Sequence, residues 1–378
     1  MRPRALKRVT VAVLVSGYAL VAACWSDAQT AAPLANDPPH LLEGESAPDA
    51  SSENPARHAW QVQRIEMPER PVKIIGNVEA NPLASVRVIG VSGDWFALSD
   101  CAKGLCAIRL TARHTSDWLP PDALPGSHLA TSSGRIAKAW FADPVQRIEN
   151  SAIGRFVAGS LVVRDTLGRE FRLDLALDQA FEDVRPRIAN LDGALDRPGT
   201  QTLFAVRSST SLGAALVAVR LEGEGLLHIV GETPAIGRPG GWLNPVGISD
   251  FLGEGRKSIA YVTSPDKLGV LQIAGFADGA FKLRLSVPGV SNHTTGTAIT
   301  DMAVIGDFEA TGGADIAIPD ASRKSIRILS FLHGQIAEPA DIALPAEVTT
   351  EVVGIRPKSG ERPMLLMGLA DGELVLLH

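Results

Sequence analysis

Two cysteines in the first half of the chain, Cys101 and Cys106, could form a disulfide or bind a metal. They lie in the segment FALSDCAKGLCAIRL, whose apolar ends look like strands and whose Lys103-Gly104 pair looks like a hairpin turn. A disulfide across such a hairpin is geometrically reasonable. A metal pair or a redox-active thiol pair is the alternative. However, four residues separate the cysteines, and no histidine or second cysteine pair flanks them, so a structural disulfide is favoured.

The histidines form no catalytic or metal-binding motif in the sequence. They are His40, His58, His114, His128, His228, His293, His333 and His378. The chain contains no HExxH zinc motif, no GxSxG nucleophile elbow and no phosphate-binding loop. We interpret His114 and Asp117, near Trp118, as polar residues of a surface loop. The sequence therefore names no catalytic residue, and an enzyme is the less favoured class of protein.

The first 24 residues have the features of a bacterial signal peptide. A basic region precedes an apolar stretch from Val9 to Ala23, which is too short for a permanent transmembrane helix. The stretch ends in VAAC, which resembles a lipobox, with Cys24 as the residue that receives the diacylglycerol. A signal peptide cleaved later, for example after Ala28, is the alternative. Trp25, in place of the Asp associated with retention in the inner membrane, points to the outer membrane.

Residues 25–60 are rich in Ala, Pro, Ser and acidic residues and have almost no aliphatic runs. Such a segment cannot bury enough apolar surface to offset the entropy lost on ordering, so we predict a flexible tether. A lipidated Cys24 would hold the protein on a membrane through several acyl chains. We therefore expect an outer-membrane lipoprotein on the periplasmic side of a bacterial cell envelope. A soluble periplasmic or secreted protein is the alternative.

After the signal peptide and the tether, 318 of the 378 residues remain, which are enough for two domains. The net charge of −6 is spread along the chain without a basic block, which argues against nucleic acid as a partner. The aromatic content is only 5%, which argues against a large sugar-stacking surface.

Residues 70–147 alternate short apolar runs with turn signals and predict about five strands. Their order resembles a small OB-like β-barrel. We interpret the aromatic residues Trp95, Phe96, Trp140 and Phe141 as core, because a basic groove for an oligonucleotide is not evident.

Two nearly identical phrases mark the second half of the chain. GISDFLGEGRKSIAYV spans residues 247–262 and VIGDFEATGGADIAI spans 304–318, so Asp250-Phe251 and Asp307-Phe308 lie 57 residues apart. Looser copies begin at Ile188 and Val352. A fixed period of this size indicates stacked units of similar structure. Each unit reads as a short apolar strand, a glycine-rich loop and further strands.

These phrases resemble the FG-GAP or VCBS-type repeat of β-propeller proteins. The resemblance implies that residues 155–378 form a small propeller in which each unit is one four-stranded blade. The four units give four blades. A predicted hairpin at residues 160–177 could be part of a fifth blade and donate the strand that closes the ring. The fold class is therefore all-β, a small OB-like barrel followed by a four- to five-bladed propeller, with a β-sandwich as the alternative.

In the FG-GAP family the loop after the first strand binds calcium through several carboxylates. The match here is incomplete, because Thr311 and Leu252 stand where ligands are expected. The resemblance implies one candidate calcium site, formed by Asp307, Glu309 and Asp315. Otherwise these acids cap turns by accepting hydrogen bonds from backbone N–H groups.

The favoured function is binding or scaffolding in the cell envelope, since propellers present rigid loops at one face of a ring. The partner, an envelope protein or ligand, is not identified by the sequence. One alternative is a hydrolase- or lyase-type enzyme with its site at the mouth of the propeller channel. The other alternative is a calcium-stabilised, adhesin-like module.

Overall fold

The computed structural model describes residues 59–76, 81–102, 104–111, 119–193, 200–266, 268–294, 296–356 and 362–378. These residues belong to one compact unit, residues 58–378. Cys24 and nearly all of the predicted tether lie outside the described residues. The described residues form β-strands and two short 3-10 turns (Leu83–Ser85 and Leu332–Gly334), which confirms the all-β class. Within these ranges no helix is long and apolar enough to cross a membrane.

The strands form antiparallel sheets that follow one another along the chain. After β1 (Val62–Ile65), the first sheet contains β2 (Pro71–Ile75), β3 (Arg87–Gly90), β4 (Trp95–Cys101) and β5 (Gly104–Arg109). Each strand pairs with its neighbour in sequence, and a short turn joins β3 to β4.

The second sheet has nine strands but consists of two parts. Its strands are β6 (Ala130–Thr131), β7 (Ile136–Val145), β8 (Val157–Asp165), β9 (Glu170–Asp174), β10 (Gln179–Phe181), β11 (Arg187–Ala189), β12 (Thr202–Ser209), β13 (Gly213–Glu222) and β14 (Leu226–Glu232). A single residue pair, Phe181 with Ala158, joins β10 to β8. The two parts are therefore β6–β9 and β12–β14, and β10 and β11 share the free edge of β12.

Three further sheets have four strands each. They are β15 (Leu243–Ser249), β16 (Ser258–Thr263), β17 (Gly269–Ala277) and β18 (Ala280–Val290); then β19 (Val304–Gly306), β20 (Asp315–Pro319), β21 (Ser325–Ser330) and β22 (Ala337–Ala343); and finally β23 (Val353–Ile355), β24 (Met364–Gly368) and β25 (Leu374–Leu377) with β1.

The last sheet is completed from the other end of the chain. Strand β1 pairs antiparallel with β25, from Val62 opposite Leu377 to Ile65 opposite Leu374. The expectation that the hairpin at 160–177 donates the closing strand is therefore wrong. Strand β8 of that hairpin already has long partners on both edges, β7 and β9, so it has no free edge to offer.

Successive sheets pack face to face. The rings of Phe204 and Phe276 lie 5.7 Å apart between β12 and β17, and those of Phe251 and Phe331 lie 6.3 Å apart between the next two sheets. Further apolar clusters join β20–β21 to β24–β25, and β2–β4 to β23–β25. A series of four-stranded sheets packed in chain order, with the last completed by the N-terminal strand, is the arrangement of a β-propeller.

The expected OB-like barrel at residues 70–147 is not present among the described residues. Strands β2–β5 form an open sheet, whereas β7 pairs with β8 across the expected boundary between the two domains. Sequence patterns predicted these strands but not their partners, because pairing depends on which faces meet in space. The prediction that Phe96, Trp140 and Phe141 are core is confirmed, and Trp95 is half-buried.

Candidate functional site

The innermost strands of the sheets place polar residues from distant segments together. Strand β15 contacts β19, and β19 contacts β23, so the first strands of these sheets line the ring in chain order. The residues before these strands gather at one end of the axis, including Asp301 and Glu351. The residues after them gather at the other end, including Asp250 and Asp307.

A cleft of about 510 Å³ lies at the end that carries the Asp-Phe phrases. Its walls include Ser249, Asp250, Asp307, Thr311 and Arg356, together with apolar residues and glycines. The two repeated phrases, 57 residues apart in sequence, are therefore neighbours in the structure. We call this feature the motif-loop cleft.

The two aspartates of the cleft hold their own loops. The Asp307 carboxylate accepts hydrogen bonds from the backbone N–H groups of Thr311 and Gly312, at 2.8 and 2.9 Å. Asp250 accepts from Glu254 and Gly255 in the same way, at 3.1 and 2.8 Å. Both loops are thus stabilised by a carboxylate that caps backbone donors, the turn-capping role that was the alternative to calcium binding.

Two of the expected calcium ligands, Asp307 and Asp315, bind backbone donors. Asp315 Oδ2 accepts hydrogen bonds from the backbone N–H groups of Phe308 and Glu309, at 2.9 and 3.2 Å, and burial raises the pKa of Asp315. No three His, Cys, Asp or Glu residues in the described part of the chain are grouped so that they could hold a metal ion. The described residues therefore give no support to the calcium site predicted from Asp307, Glu309 and Asp315, and the carboxylates of Asp307 and Asp315 accept hydrogen bonds from backbone N–H groups instead.

The opposite end of the axis carries a group of charged side chains that we call the axial cluster: His128, Arg185, Arg187, Asp301 and Glu351. Arg185 donates to both carboxylate oxygens of Asp301, at 2.9 and 3.1 Å. Both side chains are 20% exposed. Burial alone would raise the pKa of Asp301, but Arg185, Arg187 and His128 lower it below its ordinary value. This end of the ring therefore concentrates cationic groups around one carboxylate.

Glu351 of the axial cluster has the opposite shift. Burial raises its pKa, and the nearby Asp301 charge adds to the effect. A hydrogen bond of 2.7 Å from the backbone N–H of Ile74 to Oε2 opposes this rise. The two carboxyl groups, Asp301 and Glu351, thus have pKa values displaced in opposite directions by their surroundings.

A second, buried layer lies at the same end and connects several sheets. The Trp242 indole donates to the Glu182 carbonyl at 3.0 Å, and its ring lies edge-on to the His293 ring, with centroids 4.8 Å apart. The Glu182 carboxylate accepts from Ser208 Oγ at 2.5 Å and from the Ala152 N–H at 2.7 Å. Burial raises the pKa of Glu182 and lowers that of His293. These contacts fix the centre of the ring.

Sequence reasoning did not predict the group of side chains at this end of the ring. Trp242 lies eight residues before Asp250, and Asp301 lies six residues before Asp307. Equivalent positions of stacked units lie close together at the axis. A polar or aromatic residue shortly before each repeat phrase could therefore have indicated that these residues meet. The spacing of residues within a single segment could not show that residues of different units meet at this end.

Of the remaining predicted site residues, the structure describes only the two cysteines of the hairpin. Cys101 and Cys106 are joined across the β4–β5 hairpin, with Cα atoms 6.0 Å apart, as the sequence predicted. His114, Asp117 and Cys24 lie outside the described residues.

Comparisons with known proteins add little. No protein-family model matches the chain, and no curated protein is similar to it in sequence. Among solved structures, the WD40 domain of SCAP from fission yeast is similar over 84% of this chain and 64% of that chain, with 10% identity and a TM-score of 0.36. The match thus spans less than two thirds of that neighbour. The fold described above stands on its own strand pairing.

Proposed function

We propose that the chain is a binding protein built on a six-bladed β-propeller, and that its partner docks on the axial cluster. The observation that carries this proposal is the gathering of His128, Arg185, Asp301 and Glu351 from four separate segments at one end of the axis. Partly exposed charges on a rigid ring offer directional hydrogen bonds without reorganisation of the backbone.

The sheets support the proposed count of six blades. Four sheets have four strands each, and the nine-stranded sheet supplies two more blades through its two parts. We propose this count in place of the four to five blades expected from the repeats.

The same end also supports a second candidate function. Two carboxyl groups with pKa values displaced in opposite directions are the usual requirement for general acid and general base. Asp301 and Glu351 meet this requirement, so a hydrolase or lyase with its site at the channel mouth is the second candidate. In the described structure, however, Asp301 is already paired with Arg185, which favours recognition over proton transfer.

A crosslinking experiment tests the binding proposal. The folded chain is exposed to solubilised cell-envelope proteins and crosslinked. The same is done with Arg185→Met and with the matched variant Arg284→Met, which removes an exposed pair with Glu254 on a blade edge. We expect Arg185→Met to lose the specific crosslinked species and Arg284→Met to retain it. Equal loss or equal retention would exclude the axial cluster as the docking site.

The enzyme candidate has its own test. The unmodified chain and Glu351→Gln are assayed against a panel of chromogenic esters and glycosides and of unsaturated-product lyase substrates. Turnover by the unmodified chain that Glu351→Gln abolishes would favour the enzyme. Absence of turnover on the whole panel, together with a crosslinked partner, would favour the binding protein.

We also propose that the protein works in the bacterial cell envelope, attached through Cys24. The support is the lipobox-like VAAC sequence and the composition of residues 25–60. Metabolic labelling with a fatty-acid analogue tests it: we expect label on the parent chain and none on Cys24→Ala. A parent chain that takes up no label would refute the lipid anchor.

A further inference from the structure

One loop at the axial end reaches beyond its own blade. Residues 146–156, which we call the Ala152 loop, connect β7 to β8. Its Ala152 N–H donates to Glu182 Oε1 of the next blade at 2.7 Å. Its Ala152 carbonyl lies 3.1 Å from His293 Nε2, in the segment between β18 and β19. The N–H and the carbonyl of Ala152 therefore connect the loop to two distant segments of the chain.

The surroundings of His293 define its protonation state. Nε2 lies near two carbonyl oxygens, those of Ala152 and Thr297, at 3.1 and 3.0 Å, so Nε2 must carry the hydrogen. Nδ1 is buried and has no hydrogen-bond partner among the described residues. The ring is 1% exposed and lies edge-on to Trp242. A second proton on Nδ1 would therefore place a charge where no acceptor compensates it.

The charged groups near His293 have opposite effects on its pKa, and these effects partly cancel. Asp266, on the turn after β16, favours the protonated ring, whereas Arg323, on the turn after β20, disfavours it. The hydrogen bonds to Thr297 and Ala152 also favour the protonated ring, but burial is the largest effect and lowers the pKa of His293. The closed loop thus prefers neutral histidine.

We propose that the Ala152 loop is a strap across the centre of the ring that opens in acidic medium, because His293 accepts a second proton only after it leaves its buried position. Opening would separate the loop from Glu182 and uncover Trp242 at the axis. The strap rests on these contacts alone and does not require the proposed binding function.

The direction of the effect follows from linkage. In the open state His293 titrates near its ordinary pKa of about 6.5, and in the closed state below it. The contribution of His293 to the stability of the closed strap is therefore complete above about pH 6.5. This contribution is lost as the pH falls below that value. Each pH unit down to the lowered pKa shifts the equilibrium toward opening by about tenfold.

Glu182 acts in the other direction. Its pKa is raised in the closed state, so the closed strap gains stability as the pH falls through that raised pKa toward the ordinary value. The contribution of His293 must therefore be measured as a difference between two chains that share Glu182.

Amide hydrogen exchange of the full chain tests the strap, because the Ala152 N–H is itself one of its contacts. Exchange of residues 146–156 is measured from pH 7.5 to 5.5 and corrected for the intrinsic rate at each pH. We compare the unmodified chain with His293→Gln, which keeps an N–H donor but cannot titrate. The protection factor of the unmodified chain, divided by that of His293→Gln, should decrease at pH values below about 6.5. The expected decrease is up to about tenfold per pH unit.

His228→Gln is the matched control, since His228 is a more exposed histidine on β14 beside Glu222. A ratio that stays constant with pH, or an equal response in His228→Gln, would overturn the strap. Should His293→Gln fail to fold, imidazole nitrogen NMR of the unmodified chain decides. The strap requires His293 to be a neutral Nε2–H tautomer near pH 6, and a normal titration at about 6.5 would refute it.

Discussion

At the scale of single residues, acids in similar positions have different tasks because of what faces them. Asp250 and Asp307 face backbone donors of their own loops, whereas Asp301 faces Arg185. The first two therefore stabilise turns, and the third holds together segments that are distant in sequence. A sequence pattern that counts carboxylates cannot make this distinction.

Removal of the loop cap should destabilise the fold. In Asp307→Ala the backbone N–H groups of Thr311 and Gly312 lose their acceptor. We expect the free energy of unfolding to fall by about 1–2 kcal/mol, the usual cost of a lost cap. Urea denaturation measures it, with exposed Asp178→Ala as a control that should change the value by less than half as much. An unchanged urea midpoint in Asp307→Ala would contradict the capping role.

Asp301 should show a defined pH dependence. Its folded pKa lies below the unfolded value of about 3.9, so its contribution to stability is complete above that value and is lost as the pH falls through the folded pKa. Asp301→Asn should therefore cost about 1–3 kcal/mol at pH 7 and progressively less below pH 4. Urea denaturation at both pH values checks this, and a pH-independent difference would be inconsistent with it.

At the scale of elements, the closing strand is the feature with the largest consequence. Strand β1 is only four residues long, yet it supplies the fourth strand of the last sheet. Its pairing with β25 converts a row of sheets into a ring, so contacts at both termini depend on it.

Deletion of the closing strand should cost far more than deletion of the preceding segment. A chain that begins at residue 66 leaves one edge of β25 unpaired, and we expect a loss of about 3 kcal/mol from ladder hydrogen bonds at roughly 1 kcal/mol each. A chain that begins at residue 58 retains β1 and should melt like the full chain. Thermal denaturation of the three chains measures this, and equal melting of the two truncated chains would count against closure by β1.

The disulfide stabilises one hairpin. Cys101 and Cys106 join β4 to β5, and β5 contacts β1. Replacement of both cysteines by serine should lower the free energy of unfolding by about 2 kcal/mol, because the unfolded chain gains freedom. Reductant should lower the stability of the parent chain to that of the variant and leave the variant unchanged. A parent chain insensitive to reductant would speak against the bond.

At the scale of the whole molecule, residues 58–378 form one compact unit rather than a barrel and a separate propeller. Pairing of β7 with β8 joins the two regions that the sequence divided near residue 150. A fragment of residues 58–149 should therefore remain unfolded alone, as judged by near-ultraviolet circular dichroism and amide exchange. A folded fragment would restore the two-domain interpretation.

The sequence by itself determined the strands, the repeat and the turn chemistry. Apolar periodicity, glycine loops and the Asp-Phe phrases act within a few residues, and such local preferences are legible along the chain. The disulfide was predictable for the same reason, because Cys101 and Cys106 are near neighbours in sequence.

Only the tertiary structure decided which strands pair, how the ring closes and where charge collects. Strand β1 meets β25 across more than 300 residues, and Arg185 meets Asp301 across 116. Such contacts depend on the stacking of whole sheets, which buries their apolar faces and brings equivalent positions to one axis. For this reason the axial cluster and the Ala152 loop, to which we assign function and regulation, had no signature within any single segment.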